Sequence, residues 1–363
     1  MEVREPRPAA TVVVVRDAQL PRAGIEVLLL RRAESTDQNG GAWVFPGGLL
    51  DPGDREPAPH ASALTDGDAS ARLRLEQGGL AYYLAAIREC FEEAGILFAV
   101  NAAGQDASLE AESGWPAASW RHDLKQGKTS LSDLCRQFSL RLVPERLHYI
   151  AHWVTPLGRP KRFDTRFFVT RAPGDQAAAH DTIETVDHVW ITPAEALLPS
   201  NQRRLMVPTR AVLETIGQFG DCAALERWAG AVREVPVTQP RLALAATGLE
   251  SIRPDHPAYE EVGKLDPQGR CDAWCELRPD TPVRISEQVE RSVGADGRNV
   301  YRLGSDASGW EELPPAAIRW VADDRVLIAA DAAAVPPELR GQAGWLAPSH
   351  GFLQRLDQPP GGR

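Results

Sequence analysis

The chain is poor in cysteine, with five in 363 residues: Cys90, Cys135, Cys222, Cys271 and Cys275. An odd, scattered set gives no disulfide framework and points to a reducing, cytoplasmic compartment. Cys271 and Cys275 stand at C-x-x-x-C spacing without a second pair, so ordinary thiols are a plainer reading than a zinc site. Long apolar runs are missing as well. No stretch nears the roughly 18 residues of a membrane span, and the opening MEVREPRPAATVVVV is too short in apolar residues for a secretory leader. No membrane partner is expected. Lysine and arginine form no long block and the formal net charge is −10, which argues against a broad nucleic-acid-binding face. An anionic small molecule could still bind, provided metal ions or local arginines offset the repulsion.

Hydrophobic residues make up 43% of the chain, enough for a sizeable core. TVVVVR (11–16) and IEVLLLR (25–31) read as buried strands. The loop GAWVFPGGLLDPGD follows, and then residues 55–78 turn small and polar. That segment reads as a surface excursion with one short helix, so replacing 57–76 by a linker should leave the domain folded. A helix is expected over 80–94, a strand at 96–100 and helical structure over 117–141. Further strands fall at 147–154 and 162–171, and two short helices within 208–232. Beyond about 235, short apolar pieces among prolines and glycines suggest a smaller β-rich region.

RECFEEAG, residues 88–95, packs three glutamates into little more than one helical turn. At 3.6 residues per turn, Leu84, Ile87, Phe91 and Ala94 form a core stripe, while Glu89, Glu92 and Glu93 gather on another side. Gly95 supplies a left-handed cap. Like charges at i, i+3 and i+4 repel, and anions near a helix C-terminus oppose the dipole. A solvated acidic face accounts for many such helices. A cation between the carboxylates would explain this one, and oxygen ligands of this kind suit Mg²⁺ or Mn²⁺.

GGLLDPGD followed by RECFEEAGI resembles the Nudix box, G-x5-E-x7-R-E-U-x-E-E-x-G-U with U aliphatic. Gly48 opens it, Asp54 stands where the family usually has Glu, and Arg88, Glu89, Glu92, Glu93, Gly95 and Ile96 match in order, with Cys90 at the first apolar position. Thirty-three residues separate Asp54 from Arg88 against seven in the pattern, so 26 are inserted. The added closure entropy is only about 1.3 kcal/mol. FPGG, RFDTRFFVT and ETVDHVWITPAEAL extend the likeness over residues 8–200.

The resemblance implies an α+β domain, an α/β/α sandwich on a mixed sheet over 8–200. A helical connection at 201–234 and the β-rich region at 235–363, of undisclosed role, would follow. It also implies hydrolysis of a nucleoside diphosphate linked to another group, a nucleotide-type small molecule. Glu89, Glu92 and Glu93 would hold Mg²⁺ or Mn²⁺, with Arg88 orienting a neighbouring carboxylate. Asp54 and Gly95 would be structural, and Gly47 and Gly48 would let the backbone approach the metal cluster and the substrate. Glu184, six residues before Trp190, matches a late glutamate that serves relatives as base or extra metal ligand. Residues 28–48 are similar to a coenzyme A diphosphatase signature, but Leu30, Ala33 and Asp37 replace its Thr, Ser and second Arg. With Asp37 unable to receive a 3′-phosphate, Arg31, Arg32, Arg55, Lys161 and Arg162 are the candidate cations, Arg32 and Arg162 foremost. ADP-ribose, nucleotide sugars and dinucleotide polyphosphates are competing substrates. A nucleotide-sensing module without turnover is the competing class. A homodimer is left open.

Overall fold

The computed structural model describes residues 4–19, 23–34, 39–55, 63–108, 117–174, 176–182 and 184–245, and shorter stretches from 248 to 356. Cys271, Cys275 and Asp37 lie outside them. The chain divides into two units, one of Arg7–Trp153 with Phe163–Val237, the other of Met1–Pro6, Val154–Arg162 and Thr238–Arg363.

The first unit is built on a mixed sheet. In chain order its elements are β1 (Arg7–Asp17), β2 (Ile25–Arg32), β3 (Trp43–Val44), β4 (Gly47–Leu49), α1 (Asp66–Leu73), α2 (Gly79–Ala94) and β5 (Ala99–Val100). Then come α3 (Ala117–Lys125), α4 (Leu131–Phe138), β6 (Arg141–Leu142), β7 (His148–Val154), β8 (Phe163–Arg171), β9 (Thr185–Ile191), α5 (Pro193–Leu197), α6 (Val207–Ile216) and α7 (Cys222–Ala231). The sheet runs β7-β8-β1-β2, with β4 also pairing β1 and both β3 and β9 pairing β2. β1 and β8 are parallel over Arg7↔Phe163 to Val15↔Arg171, whereas β1–β2 and β2–β9 are antiparallel.

The unbroken apolar runs of β1 and β2 follow from burial on both faces. Val12, Val14, Leu28 and Leu30 pack in one core with Phe91, Ile87 and Phe168, and Val13, Val15, Val27 and Leu29 pack in another with Val212, Leu213 and Leu225. Helix α2 covers the first face and α6 and α7 the second. The two short helices expected within 208–232 are α6 and α7, and their Val212, Ile216, Cys222 and Leu225 complete the second core. Cys90, Cys135 and Cys222 are buried free thiols.

The inserted segment also departs from expectation. Leu64, Ala69 and Leu73 are buried in the first core, so three apolar side chains anchor its second half to the interior while most of its other residues stay exposed. Thr65 caps α1 by accepting from Asp68 N–H at 3.1 Å. Asp66 then caps α2: its carboxylate accepts Gly78 N–H and Leu80 N–H, each at 2.9 Å, where Gly78 has no side chain to do so. Gly79 permits the approach, because a Cβ there would lie 2.3 Å from Ser70 N and 2.5 Å from Ala69 C. Replacing 57–76 by a linker would therefore strip core and cap together.

Among the described residues of the second unit, three antiparallel sheets recur. Arg241–Ala245 pairs Gly248–Ile252, four strands lie between Val283 and Glu312, and four between Ile318 and Leu356. The β-rich reading of this region therefore holds. No helix among the described residues is long and apolar enough to cross a membrane.

Gly79→Ala tests the docking of α1. Alanine's gain in helix propensity, at most about 1 kcal/mol, opposes a clash with backbone that forces α1 away. The expected net loss is about 1–3 kcal/mol, seen as a lower midpoint in thermal denaturation. An unchanged midpoint would show that α1 does not pack on α2 as described.

Candidate active site

The residues that follow β4 turn through a 3-10 helix at Pro52–Arg55 and bring Asp54 under α2. Asp54, 5% exposed, receives Arg88 through two bonds, Nε to Oδ1 at 2.9 Å and Nη2 to Oδ2 at 3.0 Å. Arg88 Nη2 also donates to Leu49 O at 2.8 Å, and Nη1 to Glu89 Oε1 at 3.0 Å and Glu92 Oε1 at 3.2 Å. One guanidinium thus ties the loop, the helix and two glutamates together, a planar fork suited to such pairing. Burial works against its charge, yet the Asp54 bonds and the Glu89 and Glu92 charges raise its pKa further.

All of α2 except Leu80, Arg88 and Glu89 is buried, so Glu92 and Glu93 do not form a solvated face. Glu93 Oε2 accepts Gly47 N–H at 3.0 Å. A Cβ at Gly48 would stand 2.3 Å from Glu89 Oε1, and one at Gly47 2.5 Å from Ala10 O. The contacts shown by both glycines are with the glutamate helix and β1, which explains why side chains are missing there. Burial, then the charges of Glu92 and Asp54, push Glu89 up to about 7 against the pull of Arg88. Burial raises Glu92 as well, with Arg88 and Lys125 opposing, and burial with the Glu89 charge raises Glu93 well above the usual carboxylate range. Such crowding disfavours three anions unless a cation joins them. Among the described residues no such set already converges as a coordination sphere. Glu89 and Glu92 turn to Arg88, and Glu93 to Gly47 N–H.

Glu184 stands at the start of β9, and its charge, like that of Arg32, acts on Glu93. Arg32 and Thr185 are register partners across β2 and β9, so the sheet brings both glutamates and Arg32 to one place. Gly95, at φ 70°, ends α2 as expected, its N–H donating to Phe91 O. Arg162 belongs to the other unit, where it is 6% exposed and its Nε and Nη1 donate to the backbone carbonyls Thr155 O and Arg4 O. Arg31 pairs with Glu34 at 2.9 Å. Two residues absent from the sequence reading are present: Lys125 on α3, ion-paired to Asp181 and 3.3 Å from Glu184, and Arg121, bonded to Glu92 O at 3.0 Å. No local pattern marks either one, because the contacts span 29 residues or more.

Residues 55–215 match a family model described as the NUDT19 Nudix domain. The chain is 26% identical over 283 residues to the human acyl-coenzyme A diphosphatase NUDT19, covering 66% of this chain and 74% of that protein. It is 28% identical over 288 residues to the chicken protein of the same name, covering 65% and 73%. Among solved structures, a Nudix hydrolase from Alicyclobacillus acidocaldarius aligns with a TM-score of 0.52 at 28% identity, over 61% of this chain and 96% of that one.

Asp54→Ala should destabilise the protein by about 3 kcal/mol, the low end for breaking a buried pair, because Leu49 O and two glutamates remain for Arg88. Urea denaturation measures it, and Asp54→Glu, which keeps a carboxylate, should lose clearly less. Equal stability of Asp54→Ala and the parent would remove the ion pair from its central place.

Proposed function

We propose that this chain, a member of the Nudix hydrolase superfamily whose matched relatives lie in its coenzyme A diphosphatase branch, cleaves the diphosphate of coenzyme A or acyl-coenzyme A. The products are 3′,5′-ADP and the corresponding 4′-phosphopantetheine. The observation that carries the hydrolase reading is the cluster of Glu89 and Glu92, both bound by Arg88, with Glu93, bound by Gly47 N–H, against the Gly47–Gly48 turn. The names of the relatives support the substrate.

The donor set, all carboxylate oxygen and raised in pKa by burial and mutual repulsion, fits a hard divalent ion, Mg²⁺ or Mn²⁺. Glu89, Glu92 and Glu93 would hold it, and bound ions supply neutralisation of the phosphate oxygens and a more acidic attacking water. This chain's own residues do the positioning. Arg88, locked by Asp54, fixes the orientation of Glu89 and Glu92. Gly47 N–H holds Glu93. A water oxygen attacks one phosphorus, the bridging P–O bond breaks, and the water's proton passes to Glu184 or a box glutamate. Arg32, whose charge already bears on Glu93, would be the arginine that meets a phosphate. The intact trio favours turnover over a sensing module. A small-molecule substrate, a reducing cytoplasmic location and no nucleic-acid partner are part of the same reading, resting on charge and cysteine usage.

With millimolar Mg²⁺ or Mn²⁺, purified protein should release 3′,5′-ADP from coenzyme A, identified by mass, and chelation should stop it. Glu93→Gln should lose most turnover while keeping its circular dichroism; a folded Glu93→Gln at near-parental rate would sink the assignment.

Dephospho-coenzyme A should be at least tenfold poorer in kcat/KM, since a charge-assisted phosphate contact contributes about 1.5–3 kcal/mol. Equal rates would mean the 3′-phosphate is unread. Faster turnover of ADP-ribose or a nucleotide sugar would reject coenzyme A and leave the diphosphate chemistry standing.

A further inference from the structure

Two cations one helical turn apart on α3 reach toward the glutamate helix. Arg121 Nη2 donates to Glu92 O at 3.0 Å and to Ala179 O at 2.8 Å, joining the last turn of α2 to the segment before β9. Lys125, at i+4 and so on the same side of α3, bonds Asp181 Oδ2 and lies 3.3 Å from Glu184 Oε1. Leu124, buried in the first core, anchors the helix between them.

Asp181 passes the grip on. Its Oδ1 accepts Glu184 N–H and Thr185 N–H at 2.9 Å each, and the Thr185 hydroxyl at 3.1 Å. Lys125 therefore holds both the carboxylate of Glu184 and the turn that carries its backbone. Exposure shows why a grip matters: the Glu184 side chain is 47% exposed, against 19% for Lys125 and 7% for Asp181. A half-exposed glutamate on a turn samples many rotamers unless something holds it. The Lys125 charge is also felt at Glu92, lowering its carboxyl pKa against the effect of burial.

We propose that Lys125 is a positioning residue for hydrolysis, holding the Glu184 carboxylate beside Glu92 and Glu93 through a direct ion pair and through Asp181. The proposal rests on the reading of Glu184 as general base or additional metal ligand. Lys125 itself does not touch the reacting atoms. Its loss should lower kcat more than it raises KM, and only by way of Glu184.

The test uses the full chain with coenzyme A and Mg²⁺, and a second readout on metal-free protein. Lys125→Met and Glu184→Gln should each lower kcat at least tenfold with KM within about threefold. The double variant should be no slower than Glu184→Gln alone, as expected for two residues acting as a unit. Lys125→Arg should recover most of the rate. In metal-free protein, amide exchange of Glu184 and Thr185 should quicken at least tenfold in Lys125→Met, while the amides of α2 keep their protection. Multiplicative losses in the double variant, or a KM effect with kcat preserved, would overturn the proposal by placing Lys125 on the substrate. Unchanged exchange would overturn it by removing the grip. Faster exchange with full kcat would leave only a loop clip and overturn it as well. Glu184→Gln at parental rate would discard the role of Glu184, with the Glu93 chemistry judged separately by Glu93→Gln.

Discussion

The structure of the site depends on one buried ion pair. Arg88 and Asp54 are 34 positions apart, and their two hydrogen bonds fix the glycine loop against the glutamate helix. Burying an arginine is costly unless its donors are satisfied. Here Asp54, Leu49 O, Glu89 and Glu92 satisfy them, and the same bonds set the two glutamates in place. An aspartate side chain, one methylene shorter than glutamate, reaches Arg88 because the 3-10 turn at Pro52–Arg55 carries Asp54 in close. The glycines at 47 and 48 are the geometric counterpart: any side chain there would hold the helix off.

Holding this arrangement together across an interrupted motif requires the interruption to be ordered where it matters. Asp66 caps α2 and Gly79 lets α1 dock, so the insertion delivers the helix to the loop in a defined pose. On the far side, Arg121 and Lys125 do the equivalent for the segment entering β9. The glutamates thus sit between a rigid loop below and a pinned turn beside them.

Much of this could be read from residue order. Alternating burial of Val12 to Val15 on two faces made the central strand legible, since a double-sided strand must be apolar throughout. The box was legible because its chemistry needs charged residues at fixed helical spacing. The interior role of Leu64, Ala69 and Leu73 was hidden by polar neighbours, which mask one apolar position before a short helix and two within it. The carbonyl bonds of Arg162 were not legible, because an arginine beside a strand looks the same whether it meets substrate or backbone. Lys125 was invisible, for its partners lie 56 and 59 residues away and nothing local distinguishes it from any surface lysine.

The parallel pairing of β1 with β8 has a kinetic meaning. The central strand is made well before its partner, which starts 156 positions later, Arg7 facing Phe163. At ordinary translation speeds of about 5–20 residues per second, TVVVV waits roughly ten to thirty seconds for that neighbour to emerge. Throughout that interval β2 and β4 can pair one edge of this β-branched segment, while the edge that takes β8 stays open. Contacts so distant along the chain also make folding slow once synthesis ends. The finished sheet thus depends on a pairing that the nascent chain makes late, a demand that the stability of the folded form does not measure.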